Sequence, residues 1–126
     1  MHFQKHFTLD EARALLPELR RIFEDAHRRR DLLQKTDAEL GQKLRQTGTD
    51  VGGEQVSSLL LDMLQLNLQL ERIQEMGVQV KDFERGLVDF PHLRDGREVF
   101  LCWELDEADI EFWHDLDTGY AGRERL

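Results

Sequence analysis

Apolar residues between Val56 and Met76 recur every three or four positions. Val56, Leu59, Met63, Leu66, Leu70 and Ile73 make the seam of a helix packed on a partner helix. At about 100° per residue, Leu60, Leu61, Leu64 and Leu68 fall on its neighbouring and far sides. Leaving such an arc in water forfeits roughly 1.5–3 kcal/mol per large side chain. One partner cannot cover it, so both flanks need a neighbour.

Upstream, Phe7-Thr8-Leu9-Asp10-Glu11 is a helix start. Thr8 can accept from the amide three residues on while Glu11 reaches back to the Thr8 amide, and the acidic pair suits the positive end of the helix dipole. A stripe then runs Ala12, Leu16, Leu19, Phe23, Ala26, Arg30, Leu33, Asp37, Leu40, Leu44, in alternating steps of four and three. Pro17 lies inside this stripe. It removes a backbone bond, at about 3 kcal/mol, and a kink rather than a stop is expected because the register continues through Leu19, Ile22 and Phe23. The segment Thr47 to Gly53 is the loop between the helices, short enough for an antiparallel hairpin. Helix one spans roughly 57 Å and helix two roughly 35 Å at 1.5 Å per residue. The second therefore folds back only about as far as Phe23. The overhang, Leu9 to Phe23, must pack on the C-terminal third or on a second copy of the chain.

In that third the period changes from helical to alternating. Gly77 ends helix two. Val78 and Val80 alternate with Gln79 and Lys81 in a short strand, and Leu87 to Phe90 is another, ended by Pro91. Asp95-Gly96 is a hairpin turn leading into Glu98 to Glu104. A five-residue loop, Leu105 to Asp109, returns the chain along Ile110 to Asp115, with Phe100 facing His114 and Cys102 facing Phe112. Ile110, Phe112 and His114 would then share one face. Gly119 and Gly122 mark an irregular tail. The fold class is α+β: a long antiparallel helical hairpin (residues 8–76, helix one kinked at Pro17), then a small antiparallel β-meander with its tail (77–126), all one domain.

With 126 residues the chain can bury one modest core. Its formal charge of -9 disfavours a grip on nucleic-acid phosphates. The single cysteine, Cys102, excludes an internal disulfide and a zinc-finger framework, and suits a reducing cytoplasm. No secretion signal opens the chain and no apolar run is long enough to span a bilayer. The expectation is an acidic, cytoplasmic protein with no membrane partner.

Chemistry concentrates between Glu104 and Asp117. Seven carboxylates (Glu104, Asp106, Glu107, Asp109, Glu111, Asp115, Asp117) surround His114, with no Lys or Arg among them. An imidazole beside carboxylates favours manganese, iron or zinc, and Asp89 and His92 can approach from the preceding hairpin arm. The competing reading is an acidic edge that keeps a strand unpaired. Asp115-x-Asp117-x-Gly119 falls short of a calcium loop, lacking its distal Glu. His114 suits proton transfer, although a histidine ending an apolar row is more often a hydrogen-bonded core residue. Mid-strand Cys102 reads as an inert packed thiol. The basic run Arg28-Arg29-Arg30 is interleaved with acids and explained by surface pairing.

The longest motifs are F-T-L-D-E-A-R-A-L-L-P-E-L (7–19), V-K-D (80–82), G-L-V-D-F-P (86–91), D-G-R-E-V (95–99), L-C-W (101–103), F-W-H (112–114) and G-Y-A-G-R ending at Arg123. Together they resemble a family of small bacterial and archaeal proteins designated domain of unknown function 2203. The resemblance covers nearly the whole chain and implies no established activity. The polar residues it matches are Lys81, Asp82, Asp89, Glu107, His114 and Arg123. It implies ion pairs of Lys81 or Arg123 with Asp82 or Asp89. Asp106-Glu107 departs from the family's usual Gly-Glu and adds a negative charge.

Two functional readings follow. The first is a structural or interaction module, homodimeric through its helices, burying the surplus leucines in a four-helix arrangement. The second is a divalent-metal protein or metal-assisted hydrolase with His114, Glu107 and Asp89 as ligands and His114 as the candidate catalytic group. Lys81, Asp82 and Arg123 would complete its binding residues.

Overall fold

A computed structural model describes residues 1–47 and 53–126. Helix α1 (Leu9–Thr47) and helix α2 (Gly53–Glu75) precede a five-stranded antiparallel sheet. Its strands are β1 (Gln79–Asp82), β2 (Leu87–Arg94), β3 (Arg97–Trp103), β4 (Phe112–Asp115) and β5 (Glu124–Arg125), lying side by side in chain order. The architecture is α+β. Between the helices, residues 48–52 of the expected Thr47–Gly53 loop lie outside the described residues.

The N-terminus of α1 forms by the reciprocal cap. The Thr8 amide donates to Glu11 Oε1 at 2.9 Å and the Glu11 amide to Thr8 Oγ1 at 3.1 Å. The helix continues through Pro17 as a single element, as the uninterrupted register required, and the expected kink is not established. Three cross-links define the hairpin: Arg29 to Asp62, Gln69 to Asp25 and Arg72 to Glu18. As positions rise along α2 they fall along α1, so the helices are antiparallel. Leu59, Leu66, Leu70 and Ile73 turn inward, whereas Val56 and Met63, expected in the seam, are exposed. Leu60, Leu61, Leu64 and Leu68 are exposed, as their angular positions require.

The overhang of α1 packs on the sheet. Ala12, Leu16, Leu19, Ile22 and Phe23 share one buried cluster with Ile73 of α2 and with Val88, Phe90, Val99, Leu101, Trp103 and Trp113. Arg20 ties this helix to the β3–β4 connection by donating to the carbonyls of Glu107 and Ala108, and its guanidinium lies 5.4 Å from the Trp103 ring.

Strands β1 and β3 are offset by one residue from the sequence expectation, and the larger differences lie elsewhere. Strand β2 runs through Pro91 to Arg94 rather than ending at the proline. Pairing with β1 stops at Asp89, so Pro91 has no ladder partner on that side for an N–H it lacks, and its carbonyl accepts from the Phe7 amide at 2.7 Å. Strand β4 begins at Phe112, and Ile110, expected beside Phe112 and His114, is buried in the helix-side cluster. The tail is not wholly irregular. A short 3-10 turn (Tyr120–Gly122) leads into β5, which pairs with β4.

Asp95 and Gly96, both at positive φ (52° and 79°), close the β2–β3 hairpin and set its register: Asp89 opposite Cys102, Pro91 opposite Phe100. Gly86 (φ 61°) closes the β1–β2 turn where a Cβ would stand 2.6 Å from that of Leu105, so two reasons require glycine. The register Phe100 to His114 and Cys102 to Phe112 is as expected.

The face of the sheet away from the helices is buried as well. Phe3 packs on Phe100 with ring centroids 5.3 Å apart. The segment before α1, residues 1–8, forms an N-terminal strap anchored on Glu98, which accepts from the His2 and Phe3 amides and from His6 Nε2–H. Burial pushes the Glu98 pKa up, but the hydrogen bonds from His6, His2 and Phe3 together carry it down from 4.5 to about 2. A carboxylate lowered on folding contributes stability above its unfolded pKa and loses it as pH falls through the folded value. Stability should therefore decline between pH 4.5 and about 2, and Glu98→Gln should flatten that part of the profile in melting scans across the window. An unchanged slope in the variant would show that the strap is not held this way.

Candidate functional site

Alternation along β2, β3 and β4 sends Val88, Phe90, Leu101, Trp103 and Trp113 toward α1, and Asp89, Phe100, Cys102, Phe112 and His114 to the opposite face. On that face Asp89 stands across from Cys102, and His114 is the diagonal neighbour of Cys102 on the next strand. Asp89 is 3%, Cys102 1% and His114 2% exposed. One donor atom from each lies within 4.8 Å of the other two.

His114 is held at both ring nitrogens. Nε2 faces Asp89 Oδ1 at 3.0 Å and Nδ1 faces the Asp115 carbonyl oxygen at 2.7 Å. Both partners are acceptors, so both nitrogens carry protons and the ring is an imidazolium paired with a buried carboxylate. Burial pushes its pKa down; hydrogen bonds to Asp89, Cys102 and the Asp115 carbonyl, with the Asp89 charge, outweigh this and raise it from 6.5 to about 10.

A cavity of about 230 Å³ opens beside the three residues, walled in part by Leu87, Phe100, Leu116 and Tyr120, with Lys81 also lining it. The tail covering this region is fastened by a polar chain. Arg123 donates from Nη1 to both oxygens of Glu107 at 3.1 Å, and the Tyr120 hydroxyl donates to Glu104 Oε1 at 3.0 Å. Glu104 in turn accepts from Arg85, whose guanidinium lies 4.1 Å from the Tyr120 ring. Arg123 also stacks 3.9 Å from the Phe112 ring.

Of the residues singled out in the sequence, the structure brings Asp89 and His114 together. Glu107 stands apart from them, its carboxylate occupied by Arg123 and the Glu104 amide. Asp82 accepts from the Arg85 amide in the β1–β2 turn, and exposed Lys81 lies 5.2 Å from the Phe100 ring. The ion pairs expected of Lys81 or Arg123 with Asp82 or Asp89 are replaced by Arg123–Glu107 and His114–Asp89, the His114 side chain reaching from β4 across β3 to Asp89 on β2. Nor does the seven-carboxylate run converge on one point. Arginines at 85, 123, 13, 125 and 97 draw Glu104, Glu107, Asp109, Glu111 and Asp115 in different directions. His92 donates to the Phe7 carbonyl and serves the strap.

A family model described as an uncharacterized conserved protein (DUF2203) matches residues 5–126. The chain belongs to the DUF2203 family. No curated protein and no solved structure matches it. Among the described residues, no helix is long and apolar enough to cross a membrane.

Sequence reasoning about this DUF2203 protein missed Arg85 and Tyr120, and it read Cys102 only as an inert packed thiol. For Cys102 a signal existed, since the expected register already placed it on the face of Phe100 and His114. Removing one member of a buried ion pair strands the other, at about 3–5 kcal/mol. Asp89→Asn should therefore lower unfolding stability by about that amount in denaturant titration. A loss below about 1 kcal/mol would mean that water reaches the pair.

Proposed function

We propose that this protein is a homodimeric structural or interaction module whose helical hairpins pair through the outer face of α2. The observation that carries this reading is a run of large side chains left in water by a single chain. Leu60 is 60%, Leu61 57% and Leu64 54% exposed, with Met63, Leu68 and Val56 beside them. From Val56 to Leu68 every exposed residue is uncharged: Val56, Ser57, Ser58, Leu60, Leu61, Met63, Leu64, Asn67 and Leu68. A contiguous apolar patch of this kind is characteristic of an interface.

A second copy is the occupant favoured by the spacing. Leu61 and Leu68 lie three and four positions either side of Leu64, so the stripe is nearly symmetric about its centre. Laid antiparallel on itself across a two-fold axis, it sets Leu64 near Leu64 and Leu61 near Leu68 of the other copy. The opposite end of the hairpin is already covered by the sheet. Helix pairing would then give a four-helix arrangement with a sheet at each end.

Sedimentation at micromolar concentration should give a dimer. Changing Leu61, Leu64 and Leu68 together to Gln should give a monomer that keeps its helical circular dichroism, because none of the three is buried in its own chain. A wild-type monomer at that concentration would remove the proposal.

A further inference from the structure

We infer that Asp89, Cys102 and His114 form a mononuclear site for a divalent transition-metal ion, zinc by preference, with its fourth position facing the adjoining cavity. This inference is independent of self-association. It also replaces the ligand set expected from sequence, with Cys102 standing where Glu107 was placed.

The donor chemistry comes first. A thiolate and an imidazole are poor ligands for magnesium or calcium, and a carboxylate added to them makes a mixed set that suits zinc, cobalt or ferrous iron. Charge agrees: one carboxylate, one thiolate and a neutral imidazole cancel a dication, which a site buried to this degree requires. Binding would release the thiol proton and the proton on His114 Nε2, and the ion would then occupy the place that proton holds between Nε2 and Asp89.

Geometry is the second support. Metal bonds of roughly 2.0–2.3 Å in a tetrahedron set donor atoms about 3.3–3.7 Å apart. Here the nearest pair, His114 Nε2 and Asp89 Oδ1, is 3.0 Å apart and all three donors lie within 4.8 Å of one another. Side-chain shifts of about an ångström or less would admit an ion. The outer nitrogen is already prepared: Nδ1–H donates to the Asp115 carbonyl, as the second nitrogen of a metal-bound histidine almost always does.

Third, the three donors come from three adjacent strands and leave one side open. That side is the 230 Å³ cavity, with Lys81 and Tyr120 in its lining. Three protein ligands and an open position accessible to water are the pattern of a reactive zinc site rather than a closed structural one. The neighbouring cation, Lys81 in the lining, suits a small anion or a metal-bound hydroxide in that fourth position.

The test uses the full-length protein, freed of metal by dialysis and titrated with cobalt(II) as a spectroscopic probe. One equivalent should bind, with a near-ultraviolet thiolate-to-cobalt charge-transfer band and the intense visible bands of four-coordinate geometry. Zinc should displace it stoichiometrically. Cys102→Ser should abolish the charge-transfer band and weaken zinc by about 100-fold or more, since even loss of an outer-shell partner costs 10–100-fold. The wild-type spectrum needs no variant, so a failure of Cys102→Ser to fold leaves the question answerable. Folded wild-type protein that binds no stoichiometric cobalt, or binds it without the thiolate band, would overturn the inference. So would Cys102→Ser with unchanged zinc affinity.

Discussion

One apolar layer holds the molecule together: the N-terminal half of α1 lying on the inner face of the sheet. Ala12, Leu16, Leu19, Ile22 and Phe23 from the helix meet Val88, Phe90, Leu101, Trp103 and Trp113 from three strands. The layer exists because α1 has 39 residues and α2 has 23, so the second helix cannot cover the first. With the sheet seated there, one face of β2, β3 and β4 is committed to the helices, and alternation commits their remaining side chains to the other face. Where Asp89, Cys102 and His114 stand follows from that choice.

The opposite face is a second, thinner interior. Antiparallel sheets often leave one face in water and show strict alternation. Here the apolar runs of β2 and β3 are nearly continuous, with five successive buried residues at Leu87–Pro91 and five at Val99–Trp103. The cover comes from both chain ends: the N-terminal strap on Glu98, and the tail fastened through Tyr120 and Arg123. A charged pair inside such a layer is costly unless every lone pair and proton has a partner. His114 meets that condition at both nitrogens.

Much of the scaffold was legible in the chain because local physics decides it. The Thr8–Glu11 cap, the termination at Gly77 and the Asp95-Gly96 turn each depend on a few adjacent residues. The hairpin turn fixed the register of β2 on β3, and a symmetric connection to β4 placed Phe100 opposite His114. Local reasoning failed where a neighbour from elsewhere in the chain changed the rules. Pro91 is tolerated because β1 ends before it, Ile110 is drawn to the helix side, and β5 forms because β4 offers it an edge.

The sequence by itself determined both helices, the strands β1 to β4 in outline and the face of most side chains along β2 and β3, since periodicity and turn chemistry act over a few residues. It also showed that α2 is apolar on more sides than one helix can cover. Only the tertiary structure decided which polar groups on a shared face converge. The acidic run from Glu104 to Asp117 is continuous along the chain, yet arginines from four parts of the molecule pull it apart. Asp89, Cys102 and His114 are each more than ten residues from the next, and strand pairing brings them within 4.8 Å. Proximity across a sheet is set by register and packing together, and a linear pattern records only the first.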